Sequence, residues 1–147
     1  MTKLLLPSLS LLALFAACGN DGKTPTSTPG PGAPAAPMND HGTPHPLGEL
    51  TLGAHTFQVI QAGDVVAGKE AAIDLEFPAG KPLPGTVRAW IGLESGQGSM
   101  KGRLGKETER IVHGHIEVPK VIPDGSKVWI EIEANGTTLR GSLAWHP

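Results

Sequence analysis

The chain is poor in cysteine and in charge of one sign. It has one cysteine in 147 residues, so no disulfide can form within it. Its 12 basic and 14 acidic residues are interleaved and give a formal net charge of −2. The sequence has neither the basic stripe that nucleic acid would require nor the acidic block that a cationic partner would require. We therefore expect no nucleic-acid partner.

Hydrophobic runs of membrane-spanning length are also missing. The run LLLPSLSLLALFAA, residues 4–17, is too short for a stable transmembrane helix. It follows Lys3 and ends in the small residues Ala16 and Ala17, as the core of a secretory signal peptide does. The sequence therefore predicts a signal peptide over residues 1–17.

The single cysteine, Cys18, directly follows this segment. The stretch LFAAC, residues 14–18, resembles the lipobox of bacterial lipoproteins, although Phe15 stands where leucine is usual. In that family the cysteine is lipidated and becomes the mature N-terminus, so the resemblance implies a lipid anchor on Cys18 and a membrane as partner. Asp directly after the cysteine retains many such proteins at the inner membrane. Gly19 in that position favours the outer membrane of the cell envelope.

Residues 18–46 have the composition of a tether. They are rich in Pro, Gly, Ser, Thr and Ala and carry almost no large apolar side chains. Such a segment cannot bury enough surface to offset the entropy lost on ordering. We expect a flexible spacer that ends near residue 46.

The remaining residues, 47–147, show the two-residue period of β-strands. The runs are HTFQVIQA (55–62), EAAIDLEF (70–77), TVRAWIGLE (86–94), KVWIEIEA (127–134) and TTLRGSLAW (137–145). The apolar positions predicted to face the core are Phe57, Val59, Ala71, Ile73, Leu75, Phe77, Val87, Ala89, Ile91, Leu93, Val128, Ile130, Ile132, Leu139, Leu143 and Trp145. Alternation of this kind is typical of antiparallel strands with one buried face.

Turn signals support the same fold. Asn135-Gly136 is the strongest hairpin signal, because both residues tolerate the positive φ of a type I′ turn. The polar segment 95–109 is interpreted as a solvated hairpin loop or edge. We predict an all-β fold, an immunoglobulin-like antiparallel β-sandwich, with a small barrel as the alternative.

Residues 57–145 also resemble a known group of domains. The order FPAGKPLPGTVRAWIGLE, then Met100, then HGHIEVPKVIPDGSKVWIEIEANGTTLRGSLAW is similar to periplasmic YtkA-like and FixH-like domains. The resemblance implies an immunoglobulin-like sandwich, and it implies copper handling in the cell envelope. The Met-Pro stretch of some members is missing, since Lys101 follows Met100.

The unit IVHGHIEVP, residues 111–119, is the main candidate for a metal site. His113 and His115 lie two apart on a predicted strand, so both imidazoles point to one face, about 7 Å apart along the chain. Imidazole suits copper, zinc and nickel, and a thioether such as Met100 adds a preference for Cu(I). His41 and His45 in the tether are further candidate ligands. Val112, Ile116 and Val118 are predicted to face the core, which leaves both histidines facing solvent. The alternative is that the two histidines are simply solvated residues without a function.

Trp90 and Trp129 offer a second candidate surface. Alternation points both side chains away from the core, where they would form a patch for an envelope protein or a glycan. The alternative is that the tether, a loop or residues 96–108 cover them.

Features of an enzyme are few. We found no nucleophile held by a base, and Asp74 and Glu76 share a strand face that is predicted to be solvated. We therefore expect a non-catalytic binding module, for a transition metal such as copper or zinc, or alternatively for adhesion or assembly through the tryptophans.

Overall fold

The computed structural model describes residues 41–147. The predicted signal peptide, Cys18 and residues 18–40 of the predicted tether lie outside this range. The described residues form eight strands: β1 (Pro44–Leu52), β2 (His55–Ala62), β3 (Glu70–Glu76), β4 (Thr86–Gly92), β5 (Gly102–Lys106), β6 (Ile111–Glu117), β7 (Lys127–Ala134) and β8 (Thr137–Leu143). No helix in this range is long and apolar enough to cross a membrane.

All strand pairings are antiparallel, and their order is β1-β2-β3-β6-β5-β4-β7-β8. Strands β1, β2, β3 and β6 form one layer and β4, β7 and β8 form the other. Strand β5 joins the layers, because residues 102–104 pair with β4 whereas Gly105 and Lys106 pair with β6. Strand β7 returns to lie beside β4 after the β4-β5-β6 meander, which is a Greek-key connection. The predicted all-β antiparallel sandwich is confirmed, with its two layers linked through β5.

The predicted alternation places one core between the layers. Phe57, Val59, Ile73, Leu75, Ile91 and Ile130 are among the side chains that are almost fully buried there. Leu139, Leu143 and Trp145 are partly buried against them. Leu93 was predicted to face the core and is instead 39% exposed, because β4 ends at Gly92 and the chain turns away. The local period therefore predicts the core wherever a strand continues.

The hairpin between β7 and β8 is the one that the sequence predicts. Ala134 pairs with Thr137, so the turn contains only Asn135 and Gly136. Their φ angles are 51° and 73°, as a type I′ turn requires.

Two boundaries differ from the sequence prediction. Strand β1 begins at Pro44, inside the segment assigned to the tether, because its backbone pairs with β2 from Ala62 onward. Strand β5 lies inside the segment 95–109 that was interpreted as a loop. Only Leu104 of this short strand is buried in the core, so its sequence carries little alternation.

Trp90 is on the outer face, but it is not exposed. Its indole is fully buried and its Nε1 donates to the carbonyl oxygen of Leu93 at 2.8 Å. Lys101 Nζ lies 4.4 Å from the ring centroid, so the loop between β4 and β5 covers the indole. Trp129 stacks on Trp90 at 6.1 Å between ring centroids and is only half-buried. The expectation of an exposed two-tryptophan surface is therefore wrong for Trp90, and the alternative of a covering loop is confirmed.

Candidate metal centre

Strand β6 presents His113 and His115 on the outer face of its layer. The neighbouring side chains Val112, Ile116 and Val118 are at most 3% exposed and line the core, as predicted. The His113 side chain is sheltered at 18% exposure, whereas that of His115 is 41% exposed. The ring centroids lie 5.2 Å apart with nearly perpendicular planes.

His41 completes a group of three imidazoles. Its ring stacks on His113 at 5.2 Å between centroids and meets His115 edge-on at 4.6 Å. One nitrogen from each ring lies within 4.8 Å of the other two. A single point between the three nitrogens therefore lies at most about 2.8 Å from each of them. Typical Zn–N bonds are shorter, about 2.0–2.1 Å. Closure around an ion would therefore require shifts of under about 1 Å at each nitrogen.

A row of small residues lets His41 reach β6 from the far edge of the layer. Ala62 pairs with Ala72, and Ala72 pairs with His115, so the three side chains share the outer face. Both alanines are nevertheless buried, at 7% and 4% exposure, without belonging to the core. We attribute this burial to the chain at residues 41–43, which we call the arm and which lies over them.

Gly63 holds the arm in place. Its amide donates to the carbonyl oxygen of Thr43 at 2.9 Å. A Cβ at Gly63 would lie 2.6 Å from the His41 carbonyl oxygen, so no larger residue fits there without moving the arm. The position of His41 therefore depends on a glycine that the sequence alone does not connect with it.

Asp74 orients one of the three rings. It pairs with His113 across β3 and β6, and its Oδ1 lies 2.6 Å from His113 Nδ1. An ionised carboxylate can only accept a hydrogen bond, so Nδ1 donates and Nε2 remains free to bind a metal. Glu107 also offers an oxygen within 4.8 Å of this pair. Glu70 Oε2 is 3.7 Å from His115 Nδ1, in a more exposed contact.

The other predicted ligands lie elsewhere. Met100 is 59% exposed and lines a cavity of about 600 Å³ together with Glu70 and Glu117. None of the three histidines lines this cavity. His45 belongs to β1 and stacks on His146 at 3.8 Å between ring centroids. The structure thus brings His41 to the predicted pair and directs His45 to a different neighbour.

The sequence did not identify Asp74 as a partner of His113 or His146 as a partner of His45. Asp74 was predicted to lie on a solvated strand face, and His146 was not among the candidate ligands. The spacing of Asp74 on its strand did place it on the outer face. Its pairing with His113 required knowledge that β3 and β6 are neighbours.

No protein-family model matches the chain, and comparisons with curated proteins and with solved structures also found no match.

Proposed function

We propose that this protein is a lipid-anchored envelope module that binds a transition-metal ion, copper or zinc, through His41, His113 and His115. The observation that carries the proposal is the convergence of three imidazoles from two separate parts of the chain, the segment before β1 and strand β6. One of them is oriented by a carboxylate in the manner common among metal-ligating histidines.

Three protein nitrogens leave at least one coordination position open. Open sites of this kind hold an exchangeable ligand, whereas structural zinc sites use four protein ligands. An open position also allows an ion to be handed to another protein. We therefore propose storage or delivery of the ion.

A binding role is favoured over catalysis by the state of Asp74. This carboxylate is the one closest to the imidazoles and is already engaged by His113 Nδ1. It is therefore not a free general base.

The proposed location follows from the sequence. Lipid attachment at Cys18 would hold the domain at the membrane, and Gly19 favours the outer membrane. The alternative function, adhesion through Trp90 and Trp129, has lost its main support because Trp90 is fully buried.

Metal titration of the full-length protein tests the proposal. We expect Zn²⁺ and Cu²⁺ to bind with dissociation constants well below about 1 mM. A dissociation constant of about 1 mM corresponds to a binding free energy of about 4 kcal/mol, which we take as the limit for a specific site. His113→Ala/His115→Ala should abolish this site. His41→Ala should weaken it at least about tenfold, since loss of a ligand costs no less than loss of a supporting hydrogen bond. Chelator competition measures these affinities.

The sixth histidine supplies the control. His55 lies on β2 outside all the histidine groups, so His55→Ala should bind as the wild type does. Met100→Ala is a second control, because Met100 lines a cavity that contains none of the three histidines and its loss should leave Zn²⁺ and Cu²⁺ binding unchanged. Wild-type affinity together with the wild-type number of bound ions in the His113→Ala/His115→Ala protein would contradict the proposal.

A further inference from the structure

A second group of metal-ligating side chains lies at the end of the sandwich. One ligand atom each from His45, Asp64 and His146 lies within 4.8 Å of the other two. His45 Nε2 is 3.9 Å from Asp64 Oδ1, and the two imidazole rings are stacked 8° from parallel. Two imidazoles and one carboxylate are a donor set that suits Zn²⁺ and other borderline divalent ions.

The backbone that carries His146 is fixed by a fully buried glutamine. Gln61 Oε1 accepts from the amide of His146 at 2.9 Å, and its Nε2 donates to the His146 carbonyl oxygen at 2.8 Å. The same Nε2 donates to the carbonyl oxygen of Gly63 at 2.7 Å, one residue before Asp64. Gln61 also pairs with His45 in the β1–β2 register. The Gln61 side chain therefore fixes the backbone at His146 and next to Asp64, and its place on β2 lies opposite His45.

The group lies where the sheet is not closed by hydrogen bonds. Strands β1 and β8 are the two ends of the strand order, and among the described residues they are not hydrogen-bonded to each other. Side chains fill the gap between them. A Cβ at Gly141 would lie 2.9 Å from Leu52 Cδ2, and one at Gly48 would lie 3.6 Å from Leu143 Cδ2. His45 belongs to β1, and His146 follows β8.

We propose that His45, Asp64 and His146 form a second divalent-cation site, which cross-links the two edges of the sheet. This site is distinct from the His41–His113–His115 group and shares none of its ligands. A cation here would bind the folded chain and not the unfolded one, because residues 45 and 146 meet only in the fold. Its occupancy would therefore raise the stability of the fold.

The stacked rings must separate for the cation to enter. The lone pair of an imidazole nitrogen lies in the plane of its ring, so parallel rings direct their lone pairs side by side. His146 is exposed and can turn with little loss of packing. Binding should therefore appear as loss of the mutual ring-current shift of His45 and His146 in NMR spectra.

Zn²⁺ binding to the full-length protein tests the second site. The wild type should bind two equivalents, and His113→Ala/His115→Ala and His45→Ala/His146→Ala should each bind one. Combining the four substitutions should leave none, and His55→Ala should retain two. In the His113→Ala/His115→Ala protein, Zn²⁺ at about a hundredfold excess over Kd should raise Tm by about 10 °C.

Asp64→Asn tests the second site with a variant that should still fold normally. The Asp64 side chain is 73% exposed, so this change should leave the apo fold intact and weaken the second site at least about tenfold. The proposal is overturned if the His113→Ala/His115→Ala protein binds no Zn²⁺. It is also overturned if adding Asp64→Asn to that protein leaves the affinity for its one bound Zn²⁺ unchanged. Failure of the first site would give a different result. The His45→Ala/His146→Ala protein would then bind no Zn²⁺, whereas the His113→Ala/His115→Ala protein would still bind one equivalent at the second site.

Discussion

At the scale of single residues, the contact between Asp74 and His113 gives the proposed metal centre its best-defined candidate ligand. The two side chains are only 17% and 18% exposed, so their hydrogen bond is sheltered from water. The bond fixes the ring orientation, as carboxylate partners do for metal-ligating histidines. His115 lacks an equally close partner, since Glu70 is 3.7 Å away and 67% exposed.

Asp74→Asn tests this role. The amide matches the carboxylate in size but carries no charge, so we expect an intact fold and a metal affinity about 10- to 100-fold weaker. Chelator competition measures the affinity, and urea unfolding checks the stability.

The matched control is Glu70→Gln. An exposed ion pair contributes little, so this change should alter the affinity by less than about threefold. Equal losses in the two variants would show that Asp74 acts only through general electrostatics, not through orientation of the ring.

At the scale of elements, the proposed metal centre depends on how the arm crosses the sheet. His41 reaches β6 only because the outer face beneath the arm carries Ala62 and Ala72 and because Gly63 leaves room for the His41 carbonyl. Strand β6 alone presents two imidazoles, and the arm supplies the third. The arm therefore converts a two-ligand surface into a three-ligand site.

Gly63→Ala should separate the arm from the sheet. The added Cβ would lie 2.6 Å from the His41 carbonyl oxygen, so the arm must move and carry the His41 ring away. We expect metal affinity to approach that of His41→Ala, measured by the same titration.

Gly80→Ala isolates the effect of backbone strain. Gly80 has φ +73°, close to the +75° of Gly63, but a Cβ there meets no atom within 4 Å. Both variants should lose a similar amount of stability, about 1 kcal/mol from the left-handed backbone. Only Gly63→Ala should lose metal affinity, and equal affinities would refute the role of the arm.

At the scale of the whole molecule, the sequence predicts what is local and misses what depends on strand neighbours. Alternation identifies the core face of β6, and the Asn135-Gly136 pair identifies the hairpin turn, because both signals lie within a few residues. The pairing of Asp74 with His113 and the docking of His41 join segments far apart in the chain, and the burial of Trp90 depends on how the loop after β4 folds back. No spacing along one strand encodes them. The fold class was therefore predictable, and His41, His113 and His115 were all candidate ligands. The role of Asp74 and the selection of His41 over His45 and Met100 were not predictable.

A charge network on the outer face of the second layer shows the same dependence on neighbours. Glu131 is 5% exposed and pairs with Arg88 on β4 and with Arg140 on β8. Its Oε2 accepts from Arg140 Nε at 2.6 Å and from Lys101 Nζ at 2.9 Å. Lys101 belongs to the loop that covers Trp90. One carboxylate thus links three strands and that loop.

Glu131 should make the stability of the fold depend on pH on the acid side. Burial raises the pKa of Glu131, but the hydrogen bonds and charges of Lys101 and Arg140 together lower the pKa by more than burial raises it. The net pKa of Glu131 therefore lies below the usual 4.5. The unfolded chain therefore takes up this proton first as the pH falls. The stabilisation is present above about pH 4.5 and is lost as the pH falls through the lowered pKa. Glu131→Gln should be less stable than the wild type at pH 7, and the difference should shrink toward pH 3.

Urea unfolding from pH 7 to pH 3 measures both profiles. Glu133→Gln is the control on the same strand, since the Glu133 side chain is 46% exposed and its pair with Arg88 should contribute little. The Glu133 variant should follow the wild-type profile closely. If Glu131→Gln instead kept the full acid dependence of the wild type, the cations around Glu131 would not be the source of that dependence.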